Sequence, residues 1–331
     1  MKEWADSFFI SLCKEEVKRG ERAQKKVGLL VLGDVFDDRK SLNLAVNDFA
    51  ITMFAEVAEV LPTVIINGNH DLYRRTNVGV TSLKSLEFIP NVTVICTPTR
   101  INFPEGKVGI AIPYLGSATE ETKCLVENAN ADYAFMHTDI NKMKYANNQK
   151  VISGVNVDSF TGHIYAGHIH KRQQTKKVTY VGCPYQLNRS DIGNEKGVYI
   201  LEVATGKAAF KENKVSPLFL QISFDEFSKM DDESLKKIFS HNYVDIIVDD
   251  TPNMATIYKK IQDLGAKKVS IIMRSNGKAL TDTLDINIEK VSLKDVVSSL
   301  ISSIDADERQ MERIKSLNEN YFTALNSIDS I

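Results

Sequence analysis

Short runs of β-branched and aliphatic residues, each closed by glycine and a polar cluster, constrain this chain more than any other feature of its sequence. Gly28-Leu-Leu-Val-Leu-Gly33 runs into Asp34, and Thr63-Val-Ile-Ile66 runs into Asn67-Gly68-Asn69-His70-Asp71. Apolar runs of this length, bounded by turn residues, are what strands buried on both faces of a parallel sheet need. Between the two, residues 42–60 repeat apolar positions at helical spacing until Pro62 stops them. Further strands are expected at 91–95, 107–113, 133–136, 163–166, 177–182 and 197–203, with helices at 80–88 and 118–129 and an amphipathic helix over 3–19. This order predicts an α/β layered domain whose strand ends open on one crevice, the usual ligand position in such sheets.

From about residue 213 the pattern changes to a compact alternation: strand 218–223, helix 233–239, strand 243–248, helix 254–264, strand 269–273. Helical segments follow near 292–304 and 307–325. At 331 residues the chain is long enough for one large domain and a smaller appendage. The net charge of −2 excludes a polyelectrolyte that holds nucleic acid by bulk attraction. Residues 1–212 carry a slightly positive balance and 213–331 a negative one, so the partner of the C-terminal part is expected to be protein. The four cysteines, Cys13, Cys96, Cys124 and Cys183, are far apart and form no CxxC pair, which suits free thiols in a reducing compartment. With no signal peptide and no apolar run of membrane-spanning length, the sequence predicts a cytoplasmic protein without membrane contact.

Five of the six histidines lie between residues 70 and 170, and four of them sit in polar clusters that follow apolar strands. The ordered set is Gly33-Asp34 with Asp37, Gly68-Asn69-His70-Asp71, His137, and Gly167-His168-Ile169-His170. Phosphodiester hydrolysis needs an activated water, a charge sink for the phosphoryl oxygens and help for the leaving oxygen. Two divalent metals about 3.5–4 Å apart supply the first two. Asp34, short and at a strand end, is the candidate bridging carboxylate. Asn69, His137 and His168 complete one site, and His170, two residues past His168, faces the same way in extended chain and serves the second. Oxygen and imidazole donors without thiolate favour Mn²⁺ or Fe²⁺ over a structural zinc, with manganese the expected ion. His70 is assigned to the leaving oxygen, with Asp71 orienting its imidazole. Asp37 and Asp38 read as turn or helix caps, and His163 and His241 as structural. The basic pairs Arg74/Arg75, Lys142/Lys144, Lys171/Arg172 and Lys176/Lys177 are either DNA-phosphate contacts or a solvated rim.

Taken in order, these motifs resemble those of the calcineurin-like metallophosphoesterases. Within that superfamily the chain is similar to the SbcD-type nuclease subunit of recombination and repair, and most of all to the recombination endonuclease subunits of tailed phages. The resemblance extends through Ser292-Leu-Lys-Asp-Val-Val and Tyr321-Phe-Thr-Ala. It implies a metallophosphoesterase-type two-sheet sandwich flanked by helices over 1–212, a small α+β capping domain over 213–290, and C-terminal helices over 291–331 that dock on the coiled coil of an SbcC-like ATPase. Apolar spacing at Val296, Leu300, Ile304, Met311, Ile314, Leu317 and Tyr321 fits helices that bury one face, on this chain or on a partner. The resemblance further implies Mn²⁺-dependent exo/endonuclease activity on DNA, in the host cytoplasm for a phage protein, with a second copy of the chain as a further candidate partner. A phosphoesterase of small esters or phosphoproteins and a non-catalytic scaffold stay open as alternatives.

The sequence departs from that pattern in two places. The family's Asp-x-His, on a strand ahead of the first helix, has no counterpart here, so a first strand is expected to be absent and the second metal to keep only Asp34 and His170. A start placed too late, a truncated gene, or a protein working with one metal or none would each account for this. Cys183, in Gly182-Cys183-Pro184, stands where the family usually has Ser or Thr.

Overall fold

The computed structural model describes residues 5–74, 77–145, 147–248, 257, 260, 261, 263–273, 311–314 and 316. The chain divides into two compact units, Met1–Ile246 with Ala255–Ser270, and Ile247–Met254 with Ile271–Ile331. In the second unit residues 271–273 are extended, and 311–314 and 316 are helical. The other positions singled out in the C-terminal segment, Val296, Leu300, Ile304, Leu317 and Tyr321, lie outside the described residues, as does Arg75.

The first unit is mixed α/β. After a π-helical turn, Ala5–Ile10, come helix α1 (Ser11–Arg22), strand β1 (Leu29–Val31), helix α2 (Leu44–Val60) and strand β2 (Thr63–Ile66). Asn43 caps α2 by accepting from the Ala45 and Val46 amides. A short hairpin, β3 (Leu72–Arg74) and β4 (Asn77–Thr81), leads into a 3-10 segment, Ser82–Phe88, and then β5 (Val92–Ile95). Strands β6 (Thr99–Asn102) and β7 (Val108–Ile112), helix α3 (Ala118–Glu127), and strands β8 (Tyr133–His137), β9 (His163–Gly167), β10 (Gln173–Gln174) and β11 (Val178–Tyr180) follow. β12 (Gly197–Glu202) and β13 (Lys207–Glu212) form a hairpin. After it come β14 (Phe219–Ser223), α4 (Phe224–Lys229), α5 (Asp232–Phe239), β15 (Tyr243–Val248) and β16 (Lys268–Met273), the three strands in the order β14-β15-β16, with the last residues of β15 and β16 counted in the second unit.

Two sheets carry the candidate site. One has the order β1-β2-β5 and is parallel throughout; the other has the order β10-β11-β9-β8-β7-β6, with β7, β8, β9 and β11 parallel. The period of two along each strand sorts their side chains into layers. Leu29, Val31 and Ile65 pack with Phe54 and Ala58 of α2. Their sequence neighbours Leu30, Val64 and Ile66 turn the other way, into a cluster with Ala111, Tyr133, Phe135 and Tyr165 of the second sheet. The far face of that sheet, Ile112, Met136, Ile164 and Ala166, packs with Leu125 of α3 and with Ile140, Val155 and Phe160. Each such fully buried aliphatic or aromatic side chain contributes about 1.5–3 kcal/mol, so three stacked clusters fix both sheets, and with them the strand ends.

Most expected strands stand within a residue or two of their sequence bounds. The first helix differs in opening on a π turn and running on to Arg22, and the helix expected over 80–88 is 3-10, started by the Thr81 side chain accepting from the Leu83 amide. The β3–β4 hairpin, β6, β13 and α4 were not anticipated, because each segment is only three to six residues long and carries too few apolar positions to establish a period. Of the helix expected over 254–264, residues 257, 260, 261 and 263 are helical. Among the described residues no helix is long and apolar enough to cross a membrane.

Candidate metal centre

Four strands deliver the polar clusters from their carboxyl ends. Asp34 follows β1, Asn69 follows β2, His137 is the last residue of β8, and His168 comes directly after β9. Glycine lets these ends approach one another. A Cβ on Gly33 would lie 2.5 Å from His137 Nδ1, and one on Gly68 would lie 2.1 Å from Asp34 Oδ1 and 2.3 Å from the Asp34 nitrogen. Gly68→Ala is therefore expected to push Asp34 out of place and to cost about 1–3 kcal/mol, measured as a lowered urea midpoint. An unchanged midpoint would mean that the two loops yield without strain.

The donor atoms converge tightly. His137 is fully buried; its Nδ1 lies 2.6 Å from the Leu32 carbonyl, and its Nε2 lies 3.0 Å from Asn69 Oδ1 and 3.1 Å from Asp34 Oδ2. His168 Nδ1 is 2.8 Å from the same Asn69 oxygen. Because Nδ1 of His137 faces a carbonyl, it carries the proton donated there and leaves Nε2 to face the cluster, as an N–H toward Asp34 when the ring is charged and as a lone pair when it is neutral. Burial works to raise the Asp34 carboxyl, but its hydrogen bond with His137 and the His70 amide outweigh this and lower it to about 2. Burial likewise pulls His137 down, and the Asp34 hydrogen bond overcomes it, so that the imidazole stands above its ordinary value. Asp34 and His168 both have positive φ, 55° and 84°. Non-glycine residues held there cost on the order of 1–3 kcal/mol each, strain that collects at functional sites.

The set fits a divalent cation. Asp34, His137 and His168 each offer an atom within 4.8 Å of the others, and the buried Asn69 oxygen lies among them. One carboxylate oxygen, one amide oxygen and two imidazole nitrogens form a borderline donor set suited to Mn²⁺, Fe²⁺ or Zn²⁺.

Asp71 requires a correction. Its carboxylate does not orient His70; it is buried and accepts four backbone N–H groups, from Asp34 at 2.8 Å, Val35 at 3.0 Å, Phe36 at 3.1 Å and Gly68 at 2.9 Å. Burial, and after it the Asp34 carboxylate, push it up to about 6 against the pull of those donors. Asp71 thus ties the turn after β1 to the turn after β2. The residue beside His70 is Asp37, whose carbonyl lies 2.7 Å and whose carboxylate lies 3.6 Å from His70 Nδ1. The His70 amide donates to Asp34 Oδ1 at 2.8 Å, and its ring stands partly open to solvent. Asp38, by contrast, caps its turn by accepting from the Lys40 amide at 2.8 Å.

His170 stands with a different group, Cys183 and Asp191. Within that group the Asp191 carboxylate is already paired with a cation, which leaves the His170 ring uncommitted to it. The buried Lys196 ammonium lies 2.6 Å from Asp191 Oδ1 and donates to the His170 carbonyl at 2.7 Å. His163 donates to or accepts from the Thr179 hydroxyl at 2.9 Å inside its sheet, as befits a structural histidine. Of the basic residues, Arg172 pairs with Glu195 and lies over the Phe210 ring, and Lys177 donates to the Val157 and Asp158 carbonyls. Lys171, exposed, donates to Asn148 at 2.7 Å.

Sequence reading passed over Asp139, whose Oδ2 lies 3.4 Å from His168 Nε2. The signal available was His137-Thr138-Asp139, a carboxylate two residues past a strand-end histidine.

No protein-family model matches the chain. The chain is similar to exonuclease subunit 1 of Enterobacteria phage T4, 21% identical over 333 residues that cover 98% of this chain and 89% of that protein.

Proposed function

We propose that this chain is the nuclease subunit of a phage recombination or repair complex and hydrolyses DNA phosphodiesters at a divalent-metal centre. The observation that carries the proposal is the convergence of Asp34, Asn69, His137 and His168 from four strand ends. Likeness to a phage exonuclease subunit across nearly the whole chain supports DNA as the substrate. Two facing sheets with helices outside also suit the calcineurin-like, SbcD-type fold that the motifs resemble.

Asp34, Asn69, His137 and His168 would hold the metal, with Asp34 and His170 as the remaining donors for a second ion and Mn²⁺ the proposed species. A metal bound there supplies an acidified water and neutralises charge on the phosphoryl oxygens. This chain's residues do the rest. His137 is locked by the Leu32 carbonyl with its Nε2 inward. His70 has Nδ1 committed to Asp37, so a proton given to the leaving oxygen passes through Nε2. The Asp71 carboxylate keeps the Asp34 and Asn69 turns in register without touching substrate. The capping domain over 213–290, docking of 291–331 on an SbcC-like coiled-coil ATPase, and pairing with a second copy of the chain belong to the same proposal.

The test is cleavage of linear duplex DNA by the purified chain with Mn²⁺ added, with bound metal counted in the same sample. Cleavage that disappears with EDTA and returns with Mn²⁺ is the expected result. Turnover of p-nitrophenyl phosphate esters with no cleavage of DNA would sink the nuclease reading in favour of a small-ester phosphoesterase, and metal-independent partner binding without turnover of either would make the chain a scaffold.

A further inference from the structure

We infer that Asp139 is a positioning residue for His168, the carboxylate that decides which ring nitrogen of His168 is available to the metal centre. The inference rests on the metal-centre reading above and adds to it a residue outside the donor set.

The two ring nitrogens of His168 have different neighbours. Nδ1 lies 2.8 Å from Asn69 Oδ1, within the group formed with Asp34 and His137, whereas Nε2 lies 3.4 Å from Asp139 Oδ2. A neutral imidazole carries one proton. If Nδ1 gives its lone pair to a metal, that proton is on Nε2, and it needs an acceptor. Asp139 is that acceptor, in the carboxylate–histidine–metal arrangement by which outer residues fix ring orientation and raise ligand basicity. Without it the ring is free to exchange tautomers or to turn, and either change removes a donor from the centre.

The backbone around Asp139 is built to hold this contact. Val155 N–H donates to the Asp139 carbonyl at 2.8 Å. On either side, the buried Tyr180 hydroxyl donates to the Thr138 carbonyl at 2.7 Å and accepts from the Ile140 amide at 2.8 Å. A Cβ on Gly154 would fall 2.5 Å from the Asp139 carbonyl oxygen, so even the neighbouring loop has its bulk trimmed at this point. Asp139 is therefore anchored to the second sheet's core, and His168 is held against it at a positive φ of 84°.

The experiment uses the full chain as wild type, Asp139→Ala and Asp139→Asn, titrated calorimetrically with Mn²⁺ as the only metal. The protonated ring nitrogen of His168 is followed by NMR in the Zn²⁺-loaded proteins. Asp139→Ala is expected to bind Mn²⁺ about 10–100-fold more weakly and to lose the single Nε2-protonated form of His168. Asp139→Asn, nearly isosteric and still able to accept, is expected to keep that form and to stay within about tenfold of wild type. Wild-type affinity in Asp139→Ala overturns the inference alone. So does equal weakening in both variants with the His168 tautomer unchanged, which would leave only a charge effect. Failure of the wild type to bind Mn²⁺ overturns the metal centre itself, and this inference with it.

Discussion

Replacing His70 with alanine is expected to lower the rate of Mn²⁺-dependent DNA cleavage about 10²–10⁴-fold, the range for loss of a positioned general acid, while metal binding stays at the wild-type level. The separation follows from geometry. The His70 ring is tied to Asp37, whereas only its backbone amide reaches Asp34, and alanine keeps that amide. A rate measured at saturating DNA, beside a metal titration of the same preparation, separates the two quantities. Unchanged cleavage would strip His70 of its role; weakened metal binding would mean that the ring supports the donor set, not the leaving group.

Asp71→Ala is expected to be the most damaging substitution to the fold near the site. It leaves four backbone donors without their acceptor, and at least two of these hydrogen bonds, from Phe36 and Gly68, are buried. A buried donor left unpaired costs about 1–3 kcal/mol. Removing the carboxylate also relieves its repulsion with Asp34, which offsets part of the loss, so a net destabilisation of about 2–4 kcal/mol is expected, read from urea unfolding of the metal-free protein. Loss of Mn²⁺ binding should accompany it, because the turns that carry Asp34 and Asn69 lose their common tie. A stability within about 0.5 kcal/mol of wild type, the range of surface substitutions, would mean that water replaces the carboxylate.

The sequence was most legible where burial sets the pattern. Runs such as Leu29–Val31 and Thr63–Ile66 announce strands because both faces must be apolar, and the polar residues just beyond them announce the crevice. Direction within that crevice was not legible. Asp71 follows His70 in sequence and was expected to serve it, but the turn after β2 sends the carboxylate back onto the backbone of residues 34–36. Asp37, read as a cap, lies beside the imidazole instead. The positive φ values of Asp34 and His168 mark the same difficulty: where the chain leaves regular structure, spacing no longer reports which way a side chain points. Asp139 escaped notice because its partner, His168, is supplied by a neighbouring strand. The β3–β4 hairpin was missed because its strands, Leu72–Arg74 and Asn77–Thr81, are too short for the alternation of Val78 and Val80 to stand out.

The ties that assemble the centre join residues far apart in the chain: Asp71 to Asp34, and His137 to the Leu32 carbonyl 105 positions earlier. Contacts of such separation form late, after the entropy of closing long loops has been met. The donor set is thus a product of the finished fold, and no fragment ending before β8 could contain it. Emerging N-terminus first, the nascent chain carries Asp34 and Asn69 before His137 and His168 exist, so the four donors cannot come together until residue 168 has been made. Up to that point the growing chain lacks the donor set, however much of its first sheet has already formed.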